Sequence, residues 1–294
     1  MDSFLWTFLQ SVVNGIAIGG IYCLVSVGLT MIVGIMKVVN FAQGDCLTVG
    51  MYLTFLLQVL TGWDPLLLLL PVSIFMFAFG LVLFEIVIRP IANRENTVFT
   101  VVTMGLAYVI STGLLLIFGG MPRSVSSVIS ASTLTIGTFS IAMPRVVAFL
   151  VMLICIVLLH FFLKKTDMGR AMRATAENRE IAEILGINTA VIMRLSFALG
   201  IMFAGVAGLL LTPTYYLYPS TGGTFMIVTM VCVVIGGLGN IAGAVLGGIL
   251  IGIMESFIAT FISVDLSQGG AFILLLLVLI FMPNGLFGKG ERIA

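Results

Sequence analysis

Residues 164–194, KKTDMGRAMRATAENREIAEILGINTAVIMR, form a strongly ionic stretch in a chain that is otherwise apolar, and ten of these residues are charged. At the centre of a bilayer each Arg, Lys or Asp would cost roughly 2.5–3.5 kcal/mol. The stretch is therefore expected to lie in water beside a membrane.

The second half of this stretch has the pattern of a short amphipathic helix. Ile181, Ile184 and Leu185 recur at the spacing of one helical face. The neighbouring residues that favour helix are Ala176, Glu177, Arg179, Glu180, Ala182 and Glu183. We predict a helix over 177–185 that lies against the membrane. Such an element suits docking into a groove of a soluble partner.

The residues after this helix predict a tight turn. Gly186 is expected to end the helix, because glycine accepts the left-handed conformation found at helix ends. Asn188 or Thr189 can then cap the apolar helix that follows.

The composition places the whole chain in a membrane. Of its 294 residues, 61% are hydrophobic and only 9% are charged, and the mean hydropathy is +1.27. Soluble domains carry roughly 25% charged residues. The fold class is therefore predicted as an all-α polytopic membrane protein with a single transmembrane domain over 1–294. The net charge of +1 gives no bulk attraction to nucleic acid.

Apolar runs of about 17–25 residues are candidates for crossing a bilayer. The sequence has about nine of them, within a range of eight to ten: 9–34, 44–60, 65–88, 97–118, 146–163, 191–212, 222–238, 242–262 and 271–283.

The positive residues indicate an orientation. If 164–194 faces the cytoplasm, alternate crossings place 11 of the 13 basic residues there, including those at 37, 89, 94, 289 and 292. Only Arg123 and Arg145 then lie outside. The positive-inside rule therefore favours an outside N-terminus and a cytoplasmic C-terminus.

Neither a removable signal peptide nor a set of disulfides is expected from the sequence. The N-terminus begins MDSFLWTF, without a basic region or a small-residue cleavage site, so no removable signal peptide is expected. The four cysteines have unrelated spacings that fit neither a disulfide framework nor a zinc site. They are expected to be packing residues, and no bound metal is expected.

The outer face has one long loop, 119–145. Within it, residues 133–141 alternate polar and apolar side chains around Gly137, which predicts a small β-hairpin. The loop either covers the mouth of a pore, meets a binding protein, or is a solvated connector.

A polar sequence, NFAQGD at 40–45, interrupts the first two apolar runs. Asn40, Gln43 and Asp45 at membrane depth are tolerated where they are buried in protein or face a water-filled path. We expect them to border a translocation path. The alternative is an ordinary turn in which Asn40 or Asp45 caps a helix.

The second half of the chain has a related interruption. Pro213 and the sequence PSTGGT at 219–224 break the apolar run there. Two similar halves in opposite orientation form an inverted repeat, whose broken helices commonly mark a substrate path. The expected path residues in this half are Pro219, Thr221, Gly222, Gly223 and Thr224.

A glycine-rich run at 236–248, GGLGNIAGAVLGG, places small residues three and four apart. Small residues let membrane helices approach closely, with Gly239 and Asn240 expected at a sharp turn. The expected helix-packing residues are Gly236, Gly237, Gly239, Gly243, Gly247 and Gly248.

Few other polar side chains lie in the spans. Glu85 and Arg89 are four residues apart and are expected to form a local pair. Glu255 stands alone in its span and either forms a hydrogen bond across the bundle or serves the path. Three tyrosines, Tyr215, Tyr216 and Tyr218, fit an interfacial aromatic belt.

Three of these motifs carry a resemblance to a known family. The sequences at 169–188, 40–45 and 236–248 resemble motifs of ABC importer permeases, and within these the high-affinity branched-chain amino acid permeases, the H type of the Liv system. The resemblance covers most of the chain.

The resemblance implies a function and a set of partners. The chain would be the permease subunit of an ATP-driven, binding-protein-dependent importer in the bacterial inner membrane. It would pair with a second permease subunit, either related or identical, with two ATP-binding subunits and with a periplasmic substrate-binding protein. ATP and Mg would bind to the partner ATPase and no cofactor to this chain.

In that family the loop at 169–188 seats on the ATPase subunit. The residues implied for coupling to the ATPase are Gly169, Arg170, Arg173, Glu177, Glu180, Ile181, Ile184, Leu185 and Gly186. The implied cargo is branched-chain or other hydrophobic amino acids, with urea or short amides as the alternative.

The sequence lacks the motifs that identify several classes of enzyme and ATPase. The single histidine excludes a His-Glu-x-x-His zinc site, and no Gly-x-Ser-x-Gly or P-loop sequence occurs. We therefore predict a transport subunit and not an enzyme. The rival is a stand-alone secondary carrier or channel, which needs ionisable groups within the bundle, and only Asp45 and Glu255 are placed to serve.

Overall fold

A computed structural model describes residues 2–92, 94–127, 132–136, 139–264, 266–282 and 285–287. These residues form eleven α-helices: α1 Asp2–Met36, α2 Gln43–Thr61, α3 Leu69–Leu83, α4 Asn96–Phe118, α5 Met143–Lys165, α6 Asp167–Glu177, α7 Arg179–Ile184, α8 Thr189–Leu211, α9 Thr221–Gly236, α10 Ile241–Phe261 and α11 Ser267–Phe281.

The helix α3 continues beyond its regular part. A 3₁₀ turn, Pro65–Leu68, precedes it, and a π-helical turn, Phe84–Ile88, and a 3₁₀ turn, Arg89–Ile91, follow it. The whole helical stretch Pro65–Ile91 is 27 residues long, which is long enough to cross a bilayer.

Each of the nine apolar runs expected from the sequence coincides with a helix. Seven helical stretches among the described residues are long and apolar enough to span a membrane, and α9 and α11 are shorter apolar helices. The prediction of an all-α polytopic membrane protein is confirmed, and the count of nine is approximate because two of the helices are short.

The first helix, α1, lies at the centre of the bundle. In its most apolar window 89% of the residues are buried, against 17% for α4 and for α5. It packs on α10, α8, α5 and α9. Because α1 meets protein on almost every side, α4 and α5 are left to present most of their surface to lipid.

Glycines set the closest contact of α1, which is with α10. A Cβ placed on Gly15 would lie 2.8 Å from the Gly252 oxygen, and one on Gly19 would lie 2.9 Å from the Gly248 oxygen. Residue numbers rise along α1 as they fall along α10, so the two helices are antiparallel. Such close approach favours association in lipid, where small residues increase van der Waals contact.

The helix contacts repeat between the two halves of the chain. Helix α1 packs on α8 and α10, and α8 packs on α1 and α3. The α3–α8 pair is also antiparallel, since Gly80 meets Ala198 while Gly205 meets Met76. The first helix of each half thus packs on the third helix of the other half: α1 on α10, and α8 on α3. An inverted repeat would produce this arrangement.

The ionic stretch forms two short helices, so the prediction of one helix over 177–185 is wrong. Asn178 has an extended backbone, with φ −153° and ψ 111°, and separates α6 from α7. Its side-chain oxygen accepts a hydrogen bond from the Ile181 amide at 3.0 Å. The helix propensity of the neighbouring residues is overcome by this N-cap.

The turns after α7 follow the sequence prediction. Gly186 has φ +82°, the left-handed conformation expected at a helix end. The Asn188 side chain accepts a hydrogen bond from the Val191 amide at 3.2 Å and so caps α8. Local chemistry therefore determines where this helix begins.

The loop between α4 and α5 contains two short antiparallel strands, β1 Thr133–Ile136 and β2 Phe139–Ala142. Thr133 pairs with Ala142, and Ile136 pairs with Phe139. The strands lie where the sequence analysis expects a hairpin, although Gly137, its expected centre, lies outside the described residues.

Candidate functional site

The break between α1 and α2 is a compact polar turn. Asn40 and Gln43 are both fully buried. The Asn40 side-chain oxygen accepts a hydrogen bond from the Ala42 amide at 3.1 Å, and its Nδ2 donates to the Gln43 side chain at 3.4 Å. Asn40 therefore stabilises the turn itself, but neither Asn40 nor Asp45 caps α2, which begins without a side-chain cap.

Gln43 joins this turn to the second half of the chain. Its Nε2 donates to the Gly200 carbonyl of α8 at 2.9 Å. A Cβ on Gly28 of α1 would lie 2.6 Å from that same carbonyl oxygen. Three segments, α1, α8 and the start of α2, thus meet at one point in the bundle.

The structure brings the two sequence breaks into direct contact. A Cβ on Gly222 would lie 2.7 Å from the Cα of Asp45, and one on Gly44 would lie 2.8 Å from the Cβ of Met226. Gly223 has open space around its Cα, and Pro219 is buried. The breaks of the two halves therefore form one region at the α2–α9 contact.

A cavity of about 280 Å³ opens beside the second break, between α1 and the residues that join α8 to α9. Of the expected path residues, Thr221 and Thr224 line it. Asn40, Gln43 and Asp45 do not line it. Its walls are Tyr22, Tyr215, Tyr216, Tyr218, Ser220, Thr221, Thr224, Phe225 and Val228.

The aromatic side chains of the cavity contact one another. The Phe225 ring centroid lies 6.1 Å from that of Tyr22 and 5.8 Å from that of Tyr215. The sequence analysis assigns Tyr215, Tyr216 and Tyr218 to an interfacial belt, whereas the structure places all three around this cavity. A break between helices turns them toward α1.

Tyr22 and Phe225 are cavity residues that the sequence analysis misses. The Tyr22 hydroxyl donates a hydrogen bond of 2.5 Å to Glu255 of α10, so the bond across the bundle expected for Glu255 is confirmed. A tyrosine in the middle of the predominantly apolar α1 is the signal that could have located this site.

The outer loop is attached to the chain beside the cavity. The backbone of Arg123 exchanges two hydrogen bonds with Leu217, of 3.2 and 2.8 Å. The Ser127 hydroxyl donates to Asp64 at 2.7 Å. The start of this loop is therefore held over the segment that carries the three tyrosines.

The ionic unit α6–α7 has one buried and one exposed part. Met172 of α6 is 1% exposed, whereas Ile181, Ile184 and Leu185 are 54%, 83% and 72% exposed. Gly169 packs so tightly that a Cβ would lie 2.5 Å from the Leu163 Cα. The unit is thus firmly seated through α6 and presents apolar side chains through α7.

Charged residues of this unit have different roles. Arg173 donates to the Leu163 carbonyl at 2.6 Å, and Arg170 pairs with Asp167. Glu177 and Glu180 are exposed. Arg173 therefore supports the α5–α6 junction, and Glu180 lies on the open surface of α7.

Glu183 connects α7 to the start of α8. It accepts hydrogen bonds from the Thr189 hydroxyl at 2.5 Å and from Arg179 at 3.0 Å. These two donors, the hydroxyl first, lower the pKa of Glu183. The ionised carboxylate thus stabilises the turn around Gly186.

A tertiary ion pair adds to the predicted Glu85–Arg89 pair. Glu85 binds Arg89 at 2.7 Å and also Arg194 of α8 at 3.1 Å. The end of α3 and the start of α8 therefore lie together, at the end of the bundle that also carries the ionic stretch.

The glycine-rich run forms the turn between α9 and α10. Gly237 and Gly239 have φ of +95° and +83°, and Asn240 accepts a hydrogen bond from the Gly243 amide at 3.0 Å. The glycines that pack against other backbone segments are Gly236, Gly239, Gly243, Gly247 and Gly248.

Within the described ranges, no group of three or more His, Cys, Asp or Glu side chains is placed to hold a metal ion. The arrangement offers a cavity, two touching helix breaks and an exposed apolar helix. A cavity and an exposed helix face can bind other molecules, and breaks between helices allow segments of the bundle to move.

An all-α bundle in which seven helical stretches of the described residues are long and apolar enough to cross a bilayer defines a multi-pass membrane protein. Residues 11–281 match the family described as branched-chain amino acid transport system / permease component. The chain belongs to this family, whose members are membrane permeases of ABC-type transporters.

Relatives of known name align over nearly the whole chain. The high-affinity branched-chain amino acid transport system permease protein LivH of Salmonella typhimurium is 30% identical over 304 residues, 99% of this chain and 98% of the relative. LivH of Escherichia coli gives the same values. BraD of Pseudomonas aeruginosa is 30% identical and covers 98% of both chains. No solved structure matches the chain significantly.

Proposed function

We propose that the chain is the membrane-spanning subunit of an ATP-driven, binding-protein-dependent importer in the bacterial inner membrane. Its proposed cargo is branched-chain or other hydrophobic amino acids, as the names of LivH and BraD state for those relatives. The observation that carries the coupling to ATP is the apolar face of α7, which is exposed on an otherwise ionic unit.

The exposed face fits a soluble motor subunit. Ile184 is 83% exposed and Leu185 is 72% exposed, and burying a side chain of this size contributes roughly 1.5–3 kcal/mol. Helix-in-groove recognition uses such anchors. We assign ATP and Mg to that partner, and no cofactor to this chain.

Movement of α7 would reach the bundle through α8. Gly186 joins the two helices, and α8 packs on α1, α2 and α3. Gly200 of α8 accepts the Gln43 hydrogen bond, so displacement of α8 acts directly on the α1–α2 break. We propose that Asn40, Gln43, Asp45 and residues 219–224 border the region that opens and closes.

The remaining parts of the assembly follow from this proposal. A second permease subunit, related or identical, completes the membrane unit, and two ATPases bind the α6–α7 side. The N-terminus then lies outside and the C-terminus in the cytoplasm. A periplasmic binding protein delivers cargo to the face that carries the loop 119–145.

Charge reversal on α7 tests this proposal. Glu180→Lys is expected to leave the complex assembled while ATP hydrolysis no longer drives uptake of labelled L-leucine. Glu95→Lys, an exposed glutamate that precedes α4, is the matched control. Glu180 tests the docking of α7 more specifically than Arg173 does, because replacing Arg173 also removes its hydrogen bond to the Leu163 carbonyl.

Two results would contradict it. Coupled uptake at the unsubstituted rate in Glu180→Lys argues against docking through α7. Uptake by the purified chain alone, following a proton or sodium gradient, identifies a secondary carrier instead.

A further inference from the structure

Hydroxyl groups continue from the tyrosine-lined cavity into the bundle along one side of α1. Tyr22, Ser26 and Thr30 are four residues apart, a spacing that keeps side chains on one helical face. Tyr22 lines the cavity and contacts Phe225 of α9. Ser26 faces Cys232, also of α9. The series therefore runs between α1 and α9.

The two deeper hydroxyls are buried and lack a strong partner. Ser26 and Thr30 are 0% exposed; within the part of the chain that the structure describes, the Thr30 oxygen has no hydrogen-bond partner, and the Ser26 oxygen has only the Cys232 thiol beside it. The thiol of Cys232 is only a weak donor and acceptor. Leaving a buried hydroxyl unpaired is costly, so these positions call for a partner from outside the chain.

Other buried hydroxyls in the bundle behave differently. Thr54, Thr103 and Thr229 each donate to the carbonyl four residues earlier, at 2.8, 3.0 and 2.6 Å. Threonines in these helices thus normally satisfy themselves on their own backbone. Ser26 and Thr30 make no such bond to their own backbone, and they follow the cavity residue Tyr22 by one and two turns of α1.

The cavity has the chemistry of a site for a small zwitterion. Its volume of about 280 Å³ lies near the lower limit for small-molecule sites. The faces of Tyr22, Tyr215 and Phe225 attract an ammonium group. Tyr22 already donates its proton to Glu255, so its oxygen is left to accept one.

The remaining wall residues suit the carboxylate and the apolar side chain of such a ligand. Thr221 and Thr224 supply hydroxyls that can donate to a carboxylate, and Val228 supplies an apolar surface. None of the described residues that line the cavity is charged. A neutral zwitterion with an apolar side chain meets fewer unpaired groups here than an ion of either sign.

We propose that the cavity and the hydroxyls of Ser26 and Thr30 form one transit site between α1 and α9 for an α-amino acid with an apolar side chain. The ammonium group lies against Tyr22 and the rings. Ser26 and Thr30 then receive the polar groups as the ligand moves inward. This inference rests on the proposed importer function and adds the residues that carry the cargo.

Uptake measurements on isosteric variants test the site. Ser26→Ala and Thr30→Val are compared with the unsubstituted chain in cells lacking their own leucine importers, with the other subunits co-expressed. Uptake of labelled L-leucine at equal membrane abundance is expected to fall about tenfold or more, because a bond to a charged ligand group is lost. Thr30→Ser keeps the hydroxyl and should retain uptake.

Thermal stability separates a ligand role from a packing role. Since the removed hydroxyls have no partner in the described structure other than the weak Cys232 thiol beside Ser26, Ser26→Ala and Thr30→Val should unfold at the same temperature as the unsubstituted complex or a higher one. Thr103→Val removes a buried hydroxyl that is bonded to Phe99 and should leave uptake unchanged.

The possible outcomes are distinct. If the unsubstituted chain restores uptake and the Ser26 and Thr30 variants match the controls, the transit site is refuted and the importer function stands. Reduced uptake together with reduced thermal stability, shared by Thr30→Ser, also refutes the site. If the unsubstituted chain restores no leucine uptake, the importer function is refuted, and the transit site is refuted as well because it rests on that function.

Labelling supplies an independent check. L-leucine should slow the reaction of a thiol reagent with Thr224→Cys, inside the cavity, and not with Thr61→Cys, at the exposed end of α2. Equal reaction rates with and without L-leucine at Thr224→Cys overturn the site.

Discussion

Gly28→Ala is expected to separate α1 from α8 at the point where the α1–α2 break is held. A Cβ on Gly28 would lie 2.6 Å from the Gly200 oxygen and 2.9 Å from Nε2 of Gln43. Those two atoms are the acceptor and the donor of one hydrogen bond. Carbon atoms in contact normally lie about 3.5–4.0 Å apart, so the helices or the Gln43 side chain must move.

The size of the effect has two sources. Inserting a methyl group into a packed core costs roughly 1–3 kcal/mol. Loss of the Gln43–Gly200 bond leaves a buried polar group unpaired, at a cost of about 1–3 kcal/mol. The two costs share the same atoms and do not add fully, so we expect the free energy of unfolding to fall by about 2–4 kcal/mol.

Unfolding of the purified chain by titration with SDS measures this difference. The matched control is Gly113→Ala in α4, where a Cβ would have nothing within 4 Å. That control should change the free energy of unfolding by no more than about 1 kcal/mol. Equal values for Gly28→Ala and Gly113→Ala would refute the close α1–α8 crossing.

Three further predictions concern the ionic end of the bundle. Asn178→Ala removes the cap on Ile181 and should cost about 1 kcal/mol of local helix stability, seen as faster hydrogen exchange in α7; unchanged exchange would contradict it. Arg194→Met breaks a pair with Glu85 whose side chains are 40% and 36% exposed, so the free energy of unfolding should change little, because solvent screens an exposed pair, and a large loss would contradict this. The lowered pKa of Glu183 gives stability that is present above the ordinary glutamate pKa of about 4.3 and is lost as pH falls through the lowered value. The unfolding temperature should therefore drop in that acid range more in the unsubstituted chain than in Glu183→Gln. Parallel curves of unfolding temperature against pH would exclude this linkage.

Features that depend on neighbouring residues in the sequence were predicted well. The apolar runs became helices because lipid requires every backbone group to be bonded within its own segment. Gly186 and Asn188 mark the turn into α8 because a left-handed glycine and a side-chain cap act within a few residues. Asn178 was missed because summed helix propensity conceals a single capping residue.

Features that depend on distant residues were not predicted. The polar turn at 40–45 was recognised, yet the sequence does not show that Gln43 bonds to Gly200 in another helix. The three tyrosines are expected at the membrane interface, which stays a prediction, but the sequence does not show that they line a cavity together with Tyr22 of α1. The ion pair of Glu85 with Arg194 was missed for the same reason.

The sequence by itself determined that this chain spans a membrane many times and that its apolar runs are interrupted at 40–45 and 219–224, and it predicts that 164–194 lies in water. Hydrophobicity and local backbone chemistry are sufficient for these conclusions. Only the tertiary structure decided which polar groups face a cavity and which are satisfied. Tyr22 bonds to Glu255 and shares a cavity wall with Thr224 because α1, α9 and α10 approach closely, and that approach is set by packing between residues far apart in the chain.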